Sequence, residues 1–96
     1  MQLGRLDRAA WTLENLVGQR PQYSQAYYAL GEVYTRMEKP GQAHLNLGIY
    51  YGQKGDAKNA LFHLARAREK IQDSEQRRRI DEIIEEIRPQ EGRQAG

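Results

Sequence analysis

Cysteine is absent from this 96-residue sequence, and proline and histidine are scarce, with three and two residues respectively. The lack of cysteine excludes a disulfide scaffold, a thiolate zinc site and a cysteine nucleophile. No apolar run approaches the ~20 residues of a membrane-spanning helix, and the N-terminus lacks the basic-then-apolar layout of a secretion signal. We therefore expect no direct membrane insertion.

An excess of charge of one sign is also missing, since 15 basic residues face 13 acidic residues and the net charge is +2. The longest basic run, Arg77-Arg78-Arg79, is followed at once by Asp81 and Glu82. Nucleic-acid binding needs a sustained basic face. The charge pattern therefore predicts no nucleic-acid partner.

Apolar residues recur at the spacing of an α-helix along most of the chain. The first stripe comprises Leu6, Ala9, Ala10, Leu13, Leu16 and Val17, and similar stripes follow in four further segments. No useful length alternates with period two, so we expect no strands. The sequence predicts an all-α protein with five helices of roughly 14–17 residues and very short turns.

Residues with special backbone or capping roles mark the predicted helix ends. Gly18 ends the first helix, Ser24 caps the second and Pro40 opens the third. The remaining signals are Gly55-Asp56, which separates the third and fourth helices, Asp73 with Gln76 as a capping box for the fifth, and Pro89, which closes it. Residues 1–88 are thus predicted to form the helical domain, and residues 89–96 a frayed tail.

The helices show an internal repeat. Tyr27, Leu30, Gly31 and Tyr34 have the spacing of a tetratricopeptide first helix, in a register of 34 residues. A second register, displaced by about half a unit, is supported by Leu47-Gly48, Tyr51, Gly55 and Ala60. The two registers exchange the roles of first and second helix, and the sequence leaves both open.

Because of the residues that define these two registers, the stretch from about Gly4 to Ile87 resembles a tetratricopeptide (TPR) array of about two and a half repeats. The resemblance implies an antiparallel helix-turn-helix array, a TPR-like α-solenoid, that binds a peptide or partner protein in a concave groove lined by first helices. In the first register, the partner-binding residues would be Gln25, Tyr28, Glu32, Arg36, Asn59, Phe62, His63 and Arg66. Tyr28 and Phe62 could instead cover a neighbouring helix or a self-interface.

One segment has a more particular resemblance. Ala43, the run Leu47 to Tyr51, Lys54-Gly55-Asp56, and the spaced Ala60 and Leu64 are similar to the C-terminal repeat domain of BepA-like periplasmic zinc metalloproteases. The resemblance implies an accessory domain that recruits substrates or partners in the periplasm or cell envelope. Without that parentage we expect a cytoplasmic adaptor. The His-Glu-x-x-His peptidase motif is absent from this sequence.

Residues for catalysis or metal binding are hard to find. His44 and His63 have no carboxylate or second histidine one helical turn away, so we expect no metal site. Ser24 is better explained as a helix cap than as a nucleophile, and no glycine cluster forms a phosphate-binding loop. We predict no catalytic residues, no cofactor and no enzymatic activity.

The leading hypothesis is therefore a protein-interaction module, with a protein or peptide as partner. The alternative is a structural domain that self-associates as a homodimer through the open N-terminal helix, where Leu6, Ala10 and Leu13 have no preceding partner helix.

Overall fold

The computed structural model describes residues 4–95, and it describes side chains for residues 4–91. The helices are α1 (Arg5–Gln19), α2 (Ser24–Arg36), α3 (Pro40–Gln53), α4 (Ala57–Lys70) and α5 (Ser74–Ala95). No strand occurs within the described range. The prediction of an all-α chain with five helices is confirmed for these residues.

Each helix packs mainly against its neighbours in the sequence, and the most extensive packing joins α3 and α4. The resulting row of helices measures 51 × 26 × 20 Å. Consecutive packing of this kind is compatible with a helical-repeat array. None of the helices described here combines the length and the apolar character needed to cross a bilayer.

Two glycines allow the central helices to approach closely. A Cβ atom on Gly31 would lie 2.7 Å from Leu47 Cδ2, and a Cβ atom on Gly48 would lie 2.7 Å from Leu64 Cγ. The first contact joins α2 to α3, and the second joins α3 to α4. Both registers of the repeat therefore correspond to a real helix–helix contact, which explains why the sequence supported both.

The core is built mainly by the second half of the chain. Leu64 and Ile80 are completely buried, and Ile87 reaches across to α3, where its Cδ1 would lie 2.9 Å from a Cβ on Gly52. Three alanines with no exposed surface line α4, namely Ala57, Ala60 and Ala67, and the partly buried Leu61 packs beside them. Small residues on α4 let α3 and α5 pack against it closely.

Three of the predicted helix signals are confirmed. Pro40 is the first residue of α3. The Asp56 side chain accepts a hydrogen bond from Asn59 N at 3.1 Å, after Gly55 turns the chain with a φ of +81°. At the start of α5, Asp73 Oδ2 accepts from Gln76 N at 2.9 Å, which is half of the predicted capping box. The Gln76 side chain bonds to another helix instead.

Two predicted signals are wrong. Ser24 is the first residue of α2 rather than its cap, and no side-chain hydrogen bond caps this helix. The backbone closes the turn instead, because Tyr23 O accepts from Ala26 N at 3.2 Å. Pro89 does not end α5, which continues to Ala95. A proline has no backbone N–H, so Pro89 cannot donate the intrahelical hydrogen bond to the carbonyl of Glu85, which is an exposed residue.

Candidate partner-binding groove

A cleft runs along one side of α3. Residues one helical turn apart on α3 form its floor, while α1 and α5 form its walls. The cleft has a volume of about 660 Å³. Its lining residues include Glu14, Val17 and Gly18 on α1, Tyr27 and Tyr34 on α2, Gln42, Leu45, Asn46 and Ile49 on α3, and Gln76 and Arg79 on α5. We call this cleft and its extension the α3 groove.

The extension is a second cavity of about 340 Å³ at the other end of α3. It shares Pro21, Tyr27, Ile49 and Arg79 with the first cavity. The α3 groove therefore follows the whole length of α3, which is 14 residues or roughly 21 Å.

Amide side chains cross the floor of the groove. Gln42 Nε2 donates to Gln76 Oε1 at 2.8 Å and so joins α3 to α5. Asn46 is a polar residue only 5 % exposed, and its Nδ2 donates to Gln42 O at 2.9 Å. Buried polar groups of this kind must keep hydrogen-bond partners, so they restrict the occupants that the floor can accept.

Two tyrosines from α2 add hydroxyl groups to the groove. Tyr34 Oη donates to Glu14 Oε2 at 2.6 Å, and burial together with this bond raises the pKa of Tyr34. Burial also raises the pKa of Tyr27, where the positive charge of Arg79 acts in the opposite direction and Glu14 in the same one. Both tyrosines therefore remain neutral hydrogen-bonding groups at neutral pH, with Arg79 and Glu14 close to them.

A different surface lies on the far side of α3. Tyr28 and Tyr50 have ring centroids 5.1 Å apart, Tyr50 and Tyr51 are also 5.1 Å apart, and Tyr51 stacks on His63 at 5.5 Å with nearly parallel rings. His63 continues to Phe62 at 5.1 Å. We call these five side chains the aromatic face. Adjacent rings at these separations attract one another, so the row is internally stabilised.

The eight residues predicted to bind a partner lie on α2 and α4, and none of them lines the α3 groove. Four of them meet on or beside the aromatic face, because Arg66 lies 5.3 Å from the ring centroid of Phe62, next to His63, and Tyr28 stands at the other end. Asn59 is engaged in capping α4. Gln25, Glu32 and Arg36 are exposed on α2. Partner binding at these eight positions stays a prediction.

Sequence reasoning missed the groove because it followed the first register. Three of the helices that line the groove, α1, α3 and α5, are those that the second register would make first helices, and α2 adds Tyr27 and Tyr34. The recurrence of Leu47-Gly48 and Tyr51 on α3 was the signal for this assignment.

The sequence analysis also missed a contact between the two histidines. His44 Nδ1 and His63 Nδ1 are 3.0 Å apart, although 19 residues separate them in the sequence. The tight turn at Gly55 folds α4 back along α3, and this antiparallel pairing could have indicated the contact. Within the described residues, no group of three or more His, Cys, Asp or Glu side chains could hold a metal ion.

Comparisons with known proteins identify no family for this chain. No protein-family model, curated protein or solved structure matches it.

Proposed function

We propose that this chain is a protein-interaction module that binds an extended peptide segment of a partner protein in the α3 groove. The observation that carries the proposal is the line of hydrogen-bonding side chains along the groove floor, in particular Gln42, Asn46 and Gln76. This function needs no catalytic residue, because the rigid helices present a binding surface and the partner supplies the complementary groups.

The polar floor favours an extended peptide over a helix. The N–H and C=O groups of an extended peptide are available to the amides of Gln42 and Asn46 and to the Tyr27 hydroxyl. A helix satisfies these backbone groups internally, so an apolar helix laid in the groove would strip water from the floor without replacing its hydrogen bonds.

The length of the groove fits a short extended segment. Its two cavities together follow α3 over roughly 21 Å. An extended chain advances about 3.3 Å per residue, so a segment of about six residues spans the groove.

Charges of both signs line the groove and would set the register of the peptide. Lys39 and Arg79 are basic, whereas Glu14 and Glu86 are acidic. Charged groups at the edge of an interface contribute more to orientation and specificity than to affinity. We therefore propose a peptide that carries at least one acidic and one basic side chain.

The experiment is a peptide-display selection on the untagged chain, followed by fluorescence-polarisation titration of the selected peptides. Arg79→Ala and Gln76→Ala, on the α5 wall, are expected to weaken binding about tenfold each. Tyr28→Ala and Phe62→Ala, on the aromatic face, serve as matched controls and should leave the affinity within about twofold. The opposite pattern would move the binding site to the aromatic face and contradict the proposal.

Self-association through α1 is a second candidate, and one observation favours it. Ala10 is the sole buried residue of α1, and Trp11 on the same helix is 70 % exposed. Large exposed aromatic side chains are common at interfaces. Sedimentation equilibrium tests this candidate: a dimer that Leu13→Asp and Trp11→Ala both dissociate supports it, and a wild-type monomer at high concentration contradicts it.

A further inference from the structure

The contact between His44 and His63 joins α3 to α4 beside the aromatic face. The two Nδ1 atoms are 3.0 Å apart, and the ring centroids are 5.2 Å apart with a 31° angle between the rings. Both side chains are partly buried. One neutral ring donates its Nδ1–H to the Nδ1 lone pair of the other, so one Nδ1 lone pair already faces the neighbouring ring.

The separation of the two nitrogens matches that of two ligands on one metal ion. Imidazole nitrogen binds first-row metals at about 2.0–2.1 Å, so two adjacent ligands are roughly 2.9 Å apart at a right angle and roughly 3.3 Å apart at the tetrahedral angle. The observed 3.0 Å lies within this range. Among the first-row divalent ions, Cu²⁺ forms the most stable complexes with nitrogen ligands.

We propose that His44 and His63 form a two-histidine site that binds a late first-row divalent metal ion, with Cu²⁺ as the best fit. Both rings would coordinate through Nδ1, and each would carry its proton on Nε2. When both rings start neutral, the proton of the donating Nδ1 moves to Nε2 through solvent and none is released. Water would fill the remaining coordination positions.

The surroundings of the pair narrow the class of metal. Tyr51 stacks on His63 with an angle of 2° between the rings, which holds the orientation of that imidazole. Lys70 and Arg66 lie near enough to His44 to lower its pKa, after the larger effect of burial. These positive charges oppose every divalent cation, so the site requires a metal whose affinity for imidazole nitrogen offsets the repulsion.

The composition of the chain makes the site easy to test. The sequence contains only these two histidines and no cysteine, so no other imidazole or thiolate competes for the metal. The experiment is a calorimetric titration of the untagged full chain with CuCl₂, with electron paramagnetic resonance of the product. We expect one Cu²⁺ per chain and hyperfine structure from two nitrogen ligands.

Three variants give opposite expectations. His44→Gln and His63→Gln should each weaken Cu²⁺ binding about tenfold or more, because each removes one of two nitrogen ligands. Lys70→Gln should strengthen binding, since it removes a repelling charge without touching a ligand. An adventitious site on surface carboxylates would respond to none of the histidine variants. Circular dichroism of each variant is the control for retained helical content.

If a histidine variant does not fold, nuclear magnetic resonance of the wild-type chain gives the same decision. Substoichiometric Cu²⁺ should broaden the amide signals around His44 and His63 first. Broadening centred on the acidic residues of α5, unchanged affinity in both histidine variants, or one metal shared by two chains would each overturn the proposal.

Discussion

The two sides of α3 differ in how their side chains are held. On the groove side, Gln42 and Asn46 are fixed by hydrogen bonds to α5 and to the α3 backbone. On the opposite side, Tyr51 and His63 are fixed by ring stacking, and His44 by its contact with His63. One side of α3 thus presents polar side chains that we propose bind peptide backbone, and the other side presents aromatic side chains that contact one another.

Several aromatic side chains of this molecule lie in contact with one another, so the tyrosine content does not by itself indicate a binding site. The sequence contains six tyrosines, and three of them, Tyr28, Tyr50 and Tyr51, are in contact with one another. The groove, by contrast, contains groups such as Asn46 that are buried in a cleft and retain capacity for further hydrogen bonds. Variants that change side chains on only one side of α3 can therefore show which of the two surfaces a partner uses.

The largest effect is expected at the contact between α3 and α4, where Gly48 faces Leu64. Gly48→Val should destabilise the fold by about 1–3 kcal/mol or more, because its Cβ would lie 2.7 Å from Leu64 Cγ. Gly18→Ala is the matched control, since no atom lies within 4 Å of its would-be Cβ, and it should stabilise α1 by about 0.5–1 kcal/mol. Urea unfolding measures both. Equal effects of the two substitutions would contradict the close α3–α4 contact.

The next effect concerns the groove side alone. Asn46→Leu should abolish the hydrogen bond to Gln42 and weaken peptide binding about tenfold, because the leucine removes a polar group from the floor. Its control is Tyr50→Phe, on the other side of the same helix, which retains the ring and should bind the peptide normally. Fluorescence polarisation with a selected peptide compares them. Loss of binding in Tyr50→Phe alone would exchange the roles of the two sides.

A third prediction concerns pH and the aromatic side. Burial lowers the pKa of both His44 and His63 from the ordinary 6.5, with Lys70 and Arg66 adding to the effect at His44. The unfolded chain therefore takes up protons first as the pH falls, so the two histidines contribute their full stability above about pH 6.5 and lose it below. The melting temperature should fall from pH 7 to pH 5.

The double variant His44→Gln/His63→Gln tests this assignment. It should have a flatter dependence of melting temperature on pH across the same interval, because glutamine does not titrate. A slope equal to that of the wild type would assign the pH dependence to other groups.

The smallest effect is expected where α4 meets α5 at the surface. Arg68 Nε donates to Asp81 Oδ1 at 2.5 Å, and the bond holds the pKa of Asp81 below its ordinary value. The pair is about half exposed, so Asp81→Asn should lower the melting temperature only slightly, and less so in high salt. A large loss that is insensitive to salt would mean that this pair, rather than apolar burial, holds α5 in place.

The sequence was sufficient for the helices and for most of their ends. Helical periodicity located all five, and Pro40 and Asp56 act as expected from their local chemistry. The predictions at Ser24 and Pro89 were wrong. At Ser24 the backbone turn at Tyr23 takes the place of a side-chain cap. At Pro89 the final helix continues through the proline. Short-range signals are strongest where nothing in the tertiary structure competes with them.

The candidate site was harder to predict. Gly31 and Gly48 mark equivalent contacts about half a repeat apart, so the pattern alone did not indicate which helices line the groove. That choice depends on the rotation between successive helices, which single-sequence spacing does not encode. The contact of His44 with His63 likewise requires the relative positions of two antiparallel helices along their length.

The most direct test of peptide binding in the α3 groove is a map of amide chemical shifts on adding a selected peptide to the ¹⁵N-labelled chain. The groove proposal predicts that the largest shifts fall on Gln42, Asn46, Gln76 and Arg79, with small shifts on the exposed side of α2. Shifts concentrated on Tyr28, Phe62 and Arg66 would contradict it and place the partner on the aromatic face.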